Sequence, residues 1–456
     1  MADAVLKNFF EPGSIALIGA THTPGFGYGI PRFLKKHGWL EKTFLVNPKG
    51  GEIQGKKIIP SIAELPEGID LAIVIVPAAK VKEAVVELGR KGVKAAVIES
   101  AGFAETGEAG KKLQDELLAT ARDLGMRLLG PNCVGVVNSE NRFATIEVMD
   151  QALAPGRAAI IAQSGVFGNV LLDHLPSVKL NISKVATLGN KIDLDETDFL
   201  EYFADDDKTS VILIYQEGVR DGRRFLQGLK NATAKKPVVI LKSGRTPLGS
   251  RAALSHTGSL SGEDLIYDAA FKQGGAVRAE SLSEMIDLAK VLSTQPKMLG
   301  KKAGILTTSG SLGAITSDAL YGYGLGLAEW SEQTSDYLRK LAPGYLNVKN
   351  PLDVGPSGIF KPALDTIFSD PNPDGYLLIP VLPFAAIEGF RSFGLTVKNY
   401  LGDWAAMREK AKGKPVITIL LGYKDWREDI ERICGEAIAC VDSPDSAAKA
   451  LWALSR

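Results

Sequence analysis

The 456-residue sequence has only three cysteines, Cys133, Cys434 and Cys440, and none forms a Cys-x-x-Cys pair. Three cysteines cannot build a disulfide framework, and a reducing cytoplasm suits such a chain. Net charge is lacking too, because 53 Lys and Arg cancel 53 Asp and Glu. With no net field to drive counterion release, general nucleic-acid binding is excluded. The longest apolar runs, such as Leu71 to Val76, fall well short of the about 20 residues that cross a bilayer. Met1 to Lys7 shows neither the basic region nor the apolar core of a targeting signal. Hydrophobic residues at 45% and charged residues at 23% are ordinary for a globular chain. The length suits about three domains, and 48 glycines predict many tight turns.

Strand-like runs Ser14–Gly19, Thr43–Pro48, Leu71–Pro77 and Ala95–Ile98 alternate with amphipathic stretches such as Lys80–Lys91. Near-continuous Ile/Val runs suit strands buried on both faces, with helices as right-handed crossovers, so the class is α/β with a parallel, doubly wound sheet. Punctuation at Ala154–Arg157 and Gln295–Lys302 divides the chain into 1–148, 149–297 and 298–456. The last two segments share four features in one order. Gln163-Ser164-Gly165 parallels Thr308-Ser309-Gly310, and Asn190-Lys191-Ile192-Asp193 parallels Asn350-Pro351-Leu352-Asp353; an acidic turn and an apolar strand follow in each. That order suggests duplication.

Two loops carry the chemistry. Gly19-Ala20-Thr21-His22-Thr23 follows the first strand, where a Gly-rich turn suits an anionic ligand. The second strand ends in Asn47-Pro48-Lys49-Gly50-Gly51, not in the acid that an NAD ribose wants. NADP, coenzyme A or another phosphorylated nucleotide fits better, and a purely structural turn is the plain alternative. Four histidines occur, at 22, 37, 174 and 256. His37 reads as a helix C-terminus, His174 as structural, and His22 as loop filling or a phosphate contact. His256 stands apart, in a long, basic, small-residue loop (Lys242–Gly262) after an apolar strand. An imidazole acts as a nucleophile if a carboxylate fixes its protonation. Glu217 supplies one at the end of the preceding strand, unless it caps a helix or pairs with Arg220. Ser164-Gly165, at an expected helix N-terminus, suits a phosphate or an ordinary cap. No histidine follows His256, so the last segment cannot repeat the chemistry.

Lys242–Thr246 through Ser255–Ser259, with Gly130-Pro131-Asn132-Cys133-Val134-Gly135 and Gln163-Ser164-Gly165, resembles the α subunits of the NDP-forming acyl-CoA synthetases, in particular the archaeal ADP-forming acetyl-CoA synthetases. The resemblance covers essentially the whole chain; succinyl-CoA synthetase α is a shorter relation. It implies a Rossmann-like CoA-binding domain and two flavodoxin-like domains, the last structural or interfacial. It also implies that acyl-CoA, phosphate and ADP give acid, CoA and ATP through acyl phosphate and phosphohistidine, a substrate-level phosphorylation. By that resemblance His256 is the phosphorylated nucleophile and Glu217 orients it, while Ser164 and Gly165 hold the phosphoryl group. Gly19, Ala20, Thr21, Thr23, Lys49, Val76, Pro77, Ser100, Ala101 and Asn132 line the CoA site, and Val166 and Phe167 lie near the acyl group. No metal site falls on this chain. ADP/ATP and Mg2+ are expected on a partner β subunit with an ATP-grasp domain, in an α2β2 heterotetramer that swings the His256 loop between sites. Ala101 stands where the succinyl enzymes have glutamate. Two rival readings are a non-catalytic CoA-binding regulator and an NADP-linked Rossmann oxidoreductase. The acid, whether acetate, branched or aryl, depends on pocket shape, which residue spacing does not encode.

Overall fold

The computed structural model describes residues 5–23, 27–146, 153–251, 263–355, 357–394 and 396–456. The chain forms two compact units, 1–281 and 282–456, with two sheets in the first and one in the second.

The first sheet has the order β3-β4-β2-β1-β5-β6-β7. Its strands are β1 (Ile15–Ile18), β2 (Thr43–Val46), β3 (Glu52–Ile53), β4 (Lys56–Ile59), β5 (Leu71–Val74), β6 (Ala95–Ile98) and β7 (Arg127–Leu129). All pair in parallel except the β3–β4 hairpin. Every residue of β1, β5 and β6 is buried, as double-sided cover requires.

The second sheet runs β14-β13-β12-β10-β11-β8-β9. It contains β8 (Val136–Asn138), β9 (Phe143–Ala144), β10 (Pro155–Ala162), β11 (Ile182–Thr187), β12 (Val211–Gln216), β13 (Val238–Lys242) and β14 (Val277–Ala279). Five of these are parallel; β8 and β9 add an antiparallel edge on β11. Residues 136–144, which the sequence spacing groups with the first segment, thus extend the second sheet, because Lys184, Val185 and Ala186 offer them a free edge. The helix Leu6–Phe10 ties the two sheets together. Its Phe9 and Phe10 pack on Phe199, Tyr202 and Phe203 of the helix Glu196–Asp205, and its Phe10 carbonyl accepts from Asn138 and Asn141.

The second unit is built on β16-β15-β18-β19-β20, with β17 on β15. These are β15 (Lys302–Thr307), β16 (Gly326–Leu327), β17 (Leu352–Asp353), β18 (Gly375–Ile379), β19 (Val416–Ile419) and β20 (Ala439–Val441), all parallel. The helix Leu282–Thr294 lies in this unit, ahead of the 297/298 boundary read from the sequence. Its Glu284 pairs with Lys449, and Gln295 just beyond it accepts from the Val416 amide.

Candidate active site

In an open parallel sheet, side chains that carry chemistry gather past the C-terminal ends of the strands. On the second sheet that edge holds Gln163-Ser164-Gly165 after β10, Glu217-Gly218 after β12, and Lys242-Ser243 at the end of β13. The register sets Ala162 opposite Tyr215, and Tyr215 opposite Leu241. One step on, Gln163, Gln216 and Lys242 form a row of neighbouring positions. All three are buried, at 6%, 0% and 2% exposure.

Hydrogen bonds fix this row. The Gln163 side-chain Oε1 accepts from the Glu217 amide (2.9 Å), the Gly218 amide (3.0 Å) and Gln216 Nε2 (3.2 Å). The Gly218 carbonyl accepts from Gln216 Nε2 and from Lys191 Nζ, the latter at 2.5 Å. Lys191 in turn pairs with Glu196 at 2.8 Å, and both are almost wholly buried. The turn carrying Glu217 is therefore held on both sides. Tyr215 sits two residues before Glu217, on the same face of the strand. Its hydroxyl hydrogen-bonds with Ser243 and with Glu217; burial first, then the Glu217 charge and hydrogen bond, push its pKa above the usual value despite the opposing Ser243 bond. Arg220 does not take Glu217 as partner here, since its guanidinium donates to the Lys191 and Ile192 carbonyls.

Ser164 precedes the helix Gly165–His174, whose first amides lack intrahelical acceptors. A Cβ on Gly165 would lie 3.2 Å from Val134 Cγ1, and one on Gly168 would lie 2.8 Å from Thr187 Cγ2, so small residues seat this helix close to the sheet. Val166 and Phe167 fall in its first turn, and their side chains lie outside the described residues. His256 also lies outside them; β13 ends at Lys242, and the chain is described to Arg251 and again from Glu263. The feet of the intervening loop are tied to one segment. Arg245 pairs with Glu280 at 2.7 Å, and Asp264 pairs with Arg278 at 2.6 Å. Lys242 Nζ lies 4.6 Å from the Tyr267 ring centre and donates to the Ser243 carbonyl.

A second cluster lies past the C-terminal ends of the first sheet. Gly19 has φ +93°, and a Cβ there would fall 2.1 Å from the Ile75 carbonyl oxygen, so only glycine fits. The Gly19 and Ala20 amides both donate to the Val46 carbonyl, and that of Thr23 to Thr21 Oγ1. These donors shape the loop. Asn47 joins the two loops. Its Nδ2 donates to the Ala20 carbonyl and its Oδ1 accepts from the Lys49 amide, leaving Lys49 exposed. Ser100 Oγ accepts from the Val76 amide, and the Ser100 carbonyl accepts from Asn132. Val76, Pro77, Ser100, Ala101 and Asn132 thus collect at neighbouring strand ends, with Pro77 and Ala101 exposed.

Asn132 also links the clusters. It has φ +57°, and its Nδ2 meets Asn190 Oδ1 at 3.3 Å. Asn190 Nδ2 donates to Glu105 and Gln114, while the Asn190 amide donates to the Pro131 carbonyl. Burial would raise the Glu105 pKa, but the Asn190 hydrogen bond and the Phe103 and Gly102 amides hold it below the usual range. Cys133, in the same segment, is buried, and burial pushes its thiol far above the ordinary value; it is no nucleophile. His37 caps the helix Gly29–Lys36 against Phe33, and His174 ends its helix beside Ser177, as the sequence reading expects. Tyr215, Lys191, Asn47 and the side-chain role of Gln163 escape a sequence reading, because each acts on groups that only the fold brings near.

A family model described as a CoA binding domain matches residues 13–139, and one described as a succinyl-CoA ligase like flavodoxin domain matches 155–292. The ADP-forming acetate–CoA ligase II subunit alpha of Pyrococcus furiosus is 39% identical over 456 residues, covering 99% of this chain and 97% of its own. The corresponding I subunit alpha is 37% identical over 458 residues, at 98% and 97% coverage. Among solved structures, the dinucleotide forming acetyl-coenzyme A synthetase 1 of Ca. Korarchaeum cryptofilum, in complex with phosphate and ADP, matches with a TM-score of 0.90. It is 31% identical and covers 100% of this chain and 96% of that chain.

Proposed function

The chain belongs to the family of ADP-forming acetate–CoA ligase α subunits, and from that membership we propose how its residues divide the reaction. It is an acid–CoA ligase subunit that works with CoA and ADP. In the ATP-forming direction, a phosphate oxygen attacks the thioester carbonyl, the C–S bond breaks, and CoA leaves as its thiolate. The resulting acyl phosphate gives its phosphoryl group to a ring nitrogen of His256, which frees the acid. Phosphohistidine then passes the group to ADP.

The observation that carries this reading is the edge of the second sheet. Glu217 is held on a pinned turn beside the Ser164–Gly165 helix start, and the His256 loop departs from the adjacent strand. Glu217 orients the imidazole and stabilises its cationic form. Ser164 and Gly165 hold the phosphoryl group with amide donors and the helix dipole. Gly19, Ala20, Thr21, Thr23, Lys49, Val76, Pro77, Ser100, Ala101 and Asn132 line the CoA site, and Lys49, exposed past the end of β2, meets a CoA phosphate. Val166 and Phe167 face the acyl group.

The ATP-grasp domain, the nucleotide and its Mg2+ belong to a β subunit in an α2β2 assembly, located in the cytoplasm. The chain divides its work among a CoA-binding domain, a phosphohistidine domain and a third domain with a structural or interface role. The test is the coupled synthesis of ATP from acetyl-CoA, phosphate and ADP with the β subunit present. His256→Asn should abolish it while CoA binding to the α chain stays unchanged. Retained ATP synthesis would refute the scheme.

A further inference from the structure

Glu217 matters only if its carboxylate is aimed, and nothing in its own backbone does that. The turn after β12 is irregular, so its amides need acceptors from elsewhere. One side-chain oxygen supplies them. Gln163 Oε1 accepts from Glu217 N at 2.9 Å and Gly218 N at 3.0 Å, and from Gln216 Nε2 at 3.2 Å. Gln163 is itself 6% exposed and immediately precedes Ser164-Gly165. A single residue thus joins the helix start to the turn bearing the carboxylate. On the other side, Lys191 holds the Gly218 carbonyl.

We propose that Gln163 is a positioning residue for phosphoryl transfer, fixing Glu217 relative to the Ser164–Gly165 helix start through its side-chain carbonyl. This rests on the assignment of Glu217 to His256 made above. The role needs an acceptor, not an amide: all three partners are donors. It also explains why the position before Ser164 is neither an apolar strand end nor a simple helix cap.

The experiment uses the full chain with its β subunit and follows the single-turnover rate of acid-labile phosphate incorporation from labelled ATP. Gln163→Met keeps the volume and removes the acceptor, leaving two buried amides unsatisfied, so the rate should fall about 100-fold. CoA affinity, read by calorimetry on the α chain, should stay within about two-fold, since removing the acceptor does not touch that site. Gln163→Glu keeps an oxygen for the same donors and should recover most of the rate. The deciding measurement is the pair Glu217→Gln and Gln163→Met/Glu217→Gln. If Gln163 acts through Glu217, the double variant is within about three-fold of Glu217→Gln alone. If Gln163→Met slows both backgrounds by the same factor, Gln163 is only structural and the proposal falls. Should Gln163→Met not fold, Gln163→Leu, which also lacks an acceptor, takes its place in the same cycle. A Glu217→Gln enzyme with the unaltered rate would instead overturn the assignment of Glu217, a result separate from the test of Gln163.

Discussion

The second and third sheets present the same edge with different side chains. By register, Gln163, Gln216 and Lys242 on the second correspond to Thr308, Pro380 and Leu420 on the third. The turn-pinning device is present in both: Thr308 Oγ1 accepts from Val381 N at 2.7 Å, as Gln163 Oε1 accepts from Glu217 N. What the third sheet pins is a valine. At its helix start a Cβ on Gly310 would lie 2.9 Å from Asp353 Oδ2, so a carboxylate of the chain itself sits beside the helix start that matches Ser164–Gly165. The matching Asp193 turns away to Arg127 and the Leu128 amide. The two edges therefore share a pinned turn but differ in polarity, and the third carries its own acid beside the helix start.

Six substitutions would break or sharpen that contrast. Glu217→Gln should lower ATP synthesis by about 100-fold or more, in the range expected for a lost acid–base partner; Asp353→Asn should leave turnover close to the parent. Equal losses in a steady-state assay would erase the distinction between the edges. Lys191→Met leaves Glu196 buried and alone and should cost about 3–5 kcal/mol in urea unfolding. Lys449→Met in the other unit, whose pair with Glu284 is nearer to solvent, should cost less.

Lys242→Met copies the apolar residue of the third sheet. Burial pushes the Lys242 ammonium down to about 8; Asp264 and Glu217 oppose that, while Arg278 and Lys191 add to it. The folded state then holds fewer protons than the unfolded chain between about 8 and 10.5, so the parent gains stability as pH rises through that window. The variant should melt higher than the parent at pH 7, and its advantage should shrink by pH 10. Smallest is Asp287 in the second unit, where burial pushes the carboxyl up to about 6 even though the Asp442 amide and Ser446 hold it down. A raised carboxyl pKa makes the parent lose stability as pH climbs from 3.8 through 6. Asp287→Asn should flatten that segment of the melting profile.

The parallel α/β sheets are legible in the sequence because buried strands write continuous Ile/Val runs, as in β5 and β6. The matching order of features in the last two segments is legible as well, with Asn190 and Asn350 at corresponding places. The hairpin at 136–144 is not, since its short strands pair by an edge that only β11 supplies. The division near residue 282 depends on Glu284 and Gln295 reaching residues more than 120 positions away. At the proposed site, the glycines and the one histidine of the long loop stand out in the sequence. Gln163 and Asn47 do not, because an amide side chain that satisfies backbone donors leaves no periodic trace.

The central claim is that one imidazole carries the phosphoryl group, and the direct measurement is its position. After incubation with labelled ATP, Mg2+ and the β subunit, the α chain is digested at alkaline pH and the labelled peptide sequenced. The account predicts acid-labile, alkali-stable label on His256 and on no peptide of the unit 282–456. Label on a serine, an acid or any peptide lacking His256 would contradict it.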